Sequence, residues 1–216
     1  MINDWESAEP NDIRLKGSVF DVSAEAPNYA WGADKQYNET GYWEKKYAAI
    51  NTKVTDADGN VTYENYSHQI YPSIENDYQL DNTQDIVVIR FADVLLMYSE
   101  LTKTADGINQ VRARVGLAPI AGYTDTALRN ERRWELAFEG LRWYDLLRWH
   151  IAGDALARQN GVSVENNLDK TTMDMSDIKQ RVTDTGGFLQ IPQTQIDLSN
   201  GVIKQNAGWT GDNLLY

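Results

Sequence analysis

Arg132, Glu135, Glu139 and Arg142 stand at i, i+3, i+7 and i+10. On an α-helix that spacing stacks them on one face, opposite signs adjacent at each end, and Asp145 continues the pattern. Two carboxylates so placed suggest either acid/base hydrolysis or an ionic brace. Glycosidase carboxylates face each other roughly 5–9.5 Å apart across a cleft, and one must keep its proton. Here the neighbouring arginines would hold both ionised, which favours the brace. Other catalytic sets fail on spacing. Asp56-Ala57-Asp58-Gly59-Asn60 has the letters of a calcium loop, but the glycine comes too early and no Glu closes the loop at position twelve. Ser67-His68 adjoin and His150 is the other histidine, so neither a nucleophile elbow with its triad nor an HExxH helix can be assembled. Cysteine is absent, which excludes thiol catalysis, disulfides and zinc–thiolate sites. No catalytic residue, metal site or cofactor motif emerges, and turnover is not expected.

Binding chemistry is better represented. Tyr29, Trp31, Tyr37, Tyr42, Trp43 and Tyr47 cluster in one stretch, interleaved with Asn28, Asp34, Asn38 and Glu44. A sugar ring lays its C–H groups on an aromatic face while its hydroxyls seek fixed amides or carboxylates, so this mixture suits a glycan platform. The expected ligand-binding rings are Trp31 and Trp43, supported by Tyr29, Tyr37 and Tyr42. The competing reading makes them anchors of a long loop. With a net charge of −12 and no run of basic residues, the chain is disfavoured for nucleic acid or anionic lipid.

These residues need elements to position them. Trp134, Leu136, Phe138, Leu141, Trp143, Tyr144, Leu146, Leu147 and Trp149 fall on nearly every side of a 3.6-residue period, predicting an enclosed helix across Thr126–Trp149. Gly153 ends that run, and His150 sits favourably near the helix C-terminus. A helix over Ile86–Leu101 would bury Phe91, Val94, Leu95, Tyr98 and Leu101, with Arg90 and Asp93 forming an internal ion pair. A second helix over Ile108–Val115 stops at Gly116. Residues 1–80 read as loops and strands, with a short turn capped by Asn11-Asp12 and a hairpin of Lys53–Thr55 against Val61–Tyr63. After Gly153 the chain reads as polar loop, apart from a short helix at Ser176–Val182 capped by Ser176 and an extended Phe188–Pro192. The longest apolar clusters, Ile86–Ile89 and Val94–Tyr98, fall far short of the ~18–20 residues of a membrane span.

The string ERRWELAFEGLRWYDLLRW, Glu131 to Trp149, resembles the signature helix of the SusD/RagB family of nutrient-binding outer-membrane lipoproteins. IRFADVLLMYSE (Ile89–Glu100), INQVRARVGL (Ile108–Leu117) and FLQIPQTQIDLSNGVIKQNAGW (Phe188–Trp209) are similar to the family in the same order. NDIRLKGSVF (Asn11–Phe20) resembles its Asp-Pro-Arg-Leu segment, with Ile13 in place of the usual Pro. The resemblance implies one mainly helical domain over 1–216 with long loops and a β-hairpin. Its parts are a loop and hairpin segment (1–80), a helix pair (81–118), and the signature helix with a C-terminal wrap (119–216). Tetratricopeptide-like helices would be largely missing, because only Thr102–Gly107 joins the helix pair, and Met1-Ile2-Asn3-Asp4 would mark a truncation. The family implies no enzyme activity and no cofactor. Its partners would be a glycan and a SusC-like TonB-dependent transporter, at the cell surface and anchored through a lipid this chain lacks. A peptide or other nutrient in the same role is the alternative, and a glycoside hydrolase the more distant one.

Overall fold

The computed structural model describes residues 1–27, 38–47, 51–65, 85–166 and 168–209. Tyr29, Trp31, Tyr37 and the Ser67-His68 pair lie outside the described residues. Among those described, the chain is mainly helical, with ten helices and three two-stranded antiparallel ribbons. It forms two compact units, Met1–Tyr29 with Tyr42–Gly140, and Ala30–Gly41 with Leu141–Tyr216.

The first unit opens with more helix than its sequence suggests. Helix α1 (Ile2–Ala8) buries Trp5 completely. Asp12 caps α2 (Ile13–Ser18) by accepting from the Arg14 N–H, as the Asn11-Asp12 pair predicts. Strand β1 (Val19–Asp21) follows, then α3 (Val22–Glu25), whose first amides at Ser23 and Ala24 donate to Asp21. Strand β2 (Tyr42–Glu44) pairs antiparallel with β1. The expected hairpin is present as β3 (Asn51–Thr55) and β4 (Val61–Asn65). Its acidic letters are turn chemistry: the Asp56 carboxylate accepts from the Asp58 and Asn60 N–H groups and the Asn60 amide, and Gly59 takes φ +83°.

Helix α4 (Phe91–Thr102) begins five residues later than its apolar pattern predicts, and it is rotated. Asp93, Leu96 and Ser99 are buried, whereas Phe91, Val94, Tyr98 and Leu101 are exposed. The ion pairs explain the rotation. Asp93 meets Arg132 at 2.7 Å, both buried, and an unpaired buried charge costs more than an exposed apolar ring. The expected Arg90–Asp93 pairing gives way accordingly, and Arg90 turns to Glu135 and Glu139. Helix α5 (Asp106–Arg114) packs on α4 at close range: a Cβ on Gly107 would overlap the Leu95 carbonyl. Ser99 of α4 accepts from the Ile108 N–H, supplying the N-terminal cap that α5 lacks locally. Gly116 stops the chain at φ +74°, as expected.

The signature segment is two helices. α6 (Asp125–Glu135) is capped by Thr124, which accepts from the Ala127 N–H, and α7 (Arg142–Arg148) belongs to the second unit. Between them Phe138 (φ +66°) and Gly140 (φ +75°) leave the helical region. Continuation would require the Glu135 carbonyl to accept from the Glu139 N–H. Instead that carbonyl accepts from Lys46 Nζ at 2.7 Å and an Arg90 guanidinium N–H at 2.6 Å, and the Glu139 N–H turns to Leu136.

In the second unit α7 ends before Gly153. His150 takes φ +55°, its N–H bonding Leu147 O, while the Ile151 N–H reaches back to Leu146 O. That is a Schellman ending with histidine where glycine is usual. Gly153 instead lies within α8 (Ala152–Ala157), where a Cβ would press on the Lys179 backbone at 3.3 Å. The stretch read as polar loop forms a hairpin, β5 (Ser163–Asn166) with β6 (Asp169–Thr172). Helix α9 (Ile178–Thr185) starts after Asp177, so Ser176 does not cap it; the Ser176 N–H bonds Asp174. After α10 (Gln193–Leu198) the tail is held by side chains. Gln205 both donates to Ile191 O and accepts from its N–H, Asn206 donates to Leu189 O, and Trp209 Nε1 to Phe188 O.

A methyl group at position 107 has nowhere to go between two helix backbones. Gly107→Ala is expected to lower unfolding stability by about 1–3 kcal/mol in urea titration, whereas Gly122→Ala, where a Cβ meets open space, should stay near wild type.

Candidate functional site

The site in the first unit begins from a stacked pair of tryptophans. Trp5 lies on Trp134 with ring centroids 6.0 Å apart, nearly parallel, and Leu15 and Ala137 pack beside them. Trp5 Nε1 donates to Asp12 at 2.8 Å, and Asp12 grips the Arg14 guanidinium at 2.7 Å. Arg14, itself buried, then reaches Glu131 at 2.6 Å and Glu135 at 2.8 Å on α6. Arg112 adds a second cation to Glu131 and also binds Glu9 at 2.6 Å.

One turn on, the expected stripe acts between elements. Glu135 receives Arg14 on one oxygen, and Arg90 and Arg114 on the other, at 2.5–2.8 Å. Glu139 receives Lys46 at 2.6 Å and the Nε–Nη2 edge of Arg90, bidentate, at 2.7 and 2.9 Å. Arg132 is committed to Asp93. Arg142 is half-buried at the head of α7 in the second unit. The stripe thus fastens to α6 and its last turn the segments carrying Arg14, Lys46, Arg90 and Arg114.

The electrostatics separate this cluster from a hydrolase. Burial pushes the Glu131 carboxyl above its usual range, even against Arg14 and Arg112. Burial would do the same to Glu135 and Glu139, but hydrogen bonds from Arg14 and Arg90, and from Arg90 and Lys46, outweigh it and hold both low. Carboxyls pushed apart in this way can mark an acid and a base. Here Glu131 and Glu135 are 1% and 2% exposed, and each is held by arginines. Among the described residues no group of His, Asp or Glu side chains is arranged to hold a metal ion.

The aromatic stretch is described from Asn38 to Tyr47, which includes Tyr42 and Trp43 but not Tyr29, Trp31 or Tyr37. In the β1–β2 register Phe20 opposes Trp43 and Asp21 opposes Tyr42. Directly opposed residues share a face and successive residues alternate, so Trp43 and Tyr42 point to opposite sides of the ribbon. Trp43 is joined by a residue the sequence reading passed over. Phe20 stacks on it with centroids 6.1 Å apart and planes 12° from parallel, both rings half-buried. Parallel rings at that separation are offset, leaving much of each face uncovered.

This ledge is fixed at each step. The Lys45 N–H bonds Ser18 O, and Lys45 Nζ lies 5.3 Å from the Phe20 ring centre while bonding Glu25 and Lys16 O. Lys46 is pinned to Glu139, and the Tyr47 N–H to Glu44. Lys45, beside Phe20, holds the Glu25 carboxylate, while Asp21, opposite Tyr42, and Glu44, opposite Val19, lie on the other face of the ribbon.

The sequence matches the SusD family over residues 3–209. It is similar to two SusD-like proteins of Formosa agariphila. One is 24% identical over 183 residues, covering 76% of this chain and 35% of its own length. The other is 32% identical over 99 residues, covering 38% and 19%. The fold is similar to that of surface glycan-binding protein A from Bacteroides thetaiotaomicron, solved in complex with laminarihexaose, at a TM-score of 0.65 and 22% identity, covering 94% of this chain and 40% of that one. A SusD homolog from the same organism matches at a TM-score of 0.54 and 24% identity, covering 96% and 42%. The chain therefore spans about a third, or less, of the curated relatives it matches.

Removing Glu135 leaves buried Arg14 short of a partner, and Glu135→Ala is expected to cost about 3–5 kcal/mol in urea unfolding. The network also sets acid sensitivity. Asp12, Glu135 and Glu139 have depressed folded values, so their contribution is present above the unfolded carboxylate range and is lost as pH falls through the folded values. Glu131, shifted upward, opposes them but is one group against three. Melting temperature should fall below about pH 5, followed by circular dichroism, and fall less in Glu139→Gln.

Proposed function

The chain belongs to the SusD family, and from that premise we propose that it serves in binding a glycan at the outer face of an outer membrane, beside a TonB-dependent transporter. The observation that carries this reading is the Phe20–Trp43 ledge: two nearly parallel, half-buried rings on one face of the ribbon, with the Lys45–Glu25 pair beside Phe20. Aromatic faces take sugar C–H groups while carboxylates accept sugar hydroxyls. In this reading Trp43 is the principal ring and Phe20 extends it, with Trp31, Tyr29, Tyr37 and Tyr42 supplying further surface. The burial and pairing of Glu131 and Glu135 support a reading of binding without turnover. No helix among the described residues is long and apolar enough to cross a membrane. Placement at the membrane rests on the family, whose members are associated with it.

A glycan array would identify ligands, and calorimetric titration of Trp43→Ala would test the ledge. Loss of a stacked hot-spot ring typically costs ~2 kcal/mol or more, so affinity is expected to fall about thirtyfold. An unchanged affinity with a lowered melting temperature would instead make Trp43 a structural anchor.

A further inference from the structure

In the second unit a cavity of about 280 Å³ opens between α9 and the end of the tail, lined by Asp177, Gln180, Arg181, Asp184 and Trp209. Its walls are fixed. Gly208 takes φ +80°, and a Cβ there would fall 2.8 Å from the Asp184 carbonyl, so tail and helix meet at backbone contact. Trp209 Nε1 donates to Phe188 O at 2.9 Å and the Trp209 backbone N–H to Asn206 O, which sets the plane of the half-buried indole.

The charged groups on those walls are unspent. Arg181 stands over the indole with its guanidinium carbon 6.0 Å from the ring centre. It is half-buried, yet among the described residues its side chain makes no hydrogen bond or ion pair, whereas Arg14, Arg90 and Arg112 are each held by two or more carboxylates. Five N–H donors in a fixed fork are left to face the cavity. The Asp177 carboxylate is likewise without a partner among the described residues, and Asp184 keeps one oxygen beyond its bond from Gln180 at 2.7 Å.

An aromatic plane, a donor fork and carboxylate acceptors in one small cavity fit a polyhydroxylated ring. Its C–H groups lie on the indole while its hydroxyls accept from Arg181 and donate to Asp177 and Asp184. An anionic ligand would satisfy Arg181 but meet two carboxylates, and a cationic one would meet Arg181, so the pattern favours an uncharged sugar. The volume lies below the roughly 300–1,000 Å³ of pockets for drug-sized ligands, which suits one ring rather than a chain. We infer that the Arg181–Trp209 cavity is a second carbohydrate contact, taking a single uncharged sugar ring and independent of the Phe20–Trp43 ledge. The competing reading makes the Arg181–Trp209 stack a fastening of the tail and nothing more.

The test follows the tryptophan indole N–H signals of the isotope-labelled 216-residue chain by NMR, assigned with Trp43→Phe and Trp209→Phe. The probes are laminarihexaose and linear oligosaccharides of xylose, mannose and galactose. The Trp209 signal should shift saturably with at least one probe, and Arg181→Ala should weaken that titration about tenfold or more, as expected of a binding hot spot. Asp177→Asn should weaken it as well, and neither change should move the melting temperature much, since neither side chain has an ion pair to lose. A Trp209 signal that no probe moves, or a titration that Arg181→Ala leaves unchanged, overturns the inference. A response at Trp43 without one at Trp209 overturns it while leaving the ledge intact. A response at Trp209 without one at Trp43 upholds this cavity and removes the ledge, and silence at both removes both.

Discussion

One buried carboxylate organises the first unit. Glu135 takes guanidinium groups from Arg14, Arg90 and Arg114, which come from three separate segments of the chain. A carboxylate has about four lone-pair sites, so a single Glu can tie several strands of irregular backbone to one helix end. Ion pairs of this kind add little net stability over well-packed apolar side chains, since desolvation offsets most of the attraction. What they add is selectivity among alternative packings. A slip of α2 or of the Arg90 segment would strand a cation without a counter-charge, whereas an apolar contact would tolerate the slip. The same constraint ends α6, because the cations that bind the Glu135 and Glu139 carboxylates also take the Glu135 carbonyl.

The aromatic ledge inherits its rigidity from that knot. Lys46 lies three residues beyond Trp43 and is fastened to Glu139, so an ion pair ties the ribbon bearing the rings to the chain just past α6. A preorganised surface avoids part of the ordering cost on binding. The buried charge network and the half-buried rings are thus two ends of one arrangement: one specifies where the ribbon lies, the other lies on it.

Much of this was legible in the residues, and the failures share a cause. Local signals held at Asp12 as a cap, Asp56 with Gly59 as a turn and Gly116 as a stop; of the Arg–Glu stripe, Arg132, Glu135 and Glu139 act as a brace, while Arg142 lies past the helix break and half-buried on α7. The errors came where buried charge overrode apolar periodicity. Phe91, Val94 and Tyr98 repeat as a core stripe should, yet Asp93 had to face Arg132 and turned them outward. The run Trp134–Trp149 has apolar residues on all sides because it serves two helices, and Gly140 was the overlooked break. Histidine in a left-handed conformation at position 150 could not be anticipated, since nothing in its type demands it. Of the expected ligand rings, Trp43 and Tyr42 fall on opposite ribbon faces because side chains alternate, a rule that needs the strand assignment before it can be applied. Phe20 was invisible for the same reason: its partner lies 23 positions away.

The tail after α10 shows how an extended segment can be secured without building a sheet. The carbonyls of Phe188, Leu189 and Ile191 and the Ile191 amide are taken by the side chains of Gln205, Asn206 and Trp209. A backbone partner would have left its own far edge open, offering N–H and C=O groups to a passing chain. Side-chain amides and an indole present no such edge. The exposed, apolar stretch at Phe188 and Leu189 is thus held by side chains that add no new strand edge of their own.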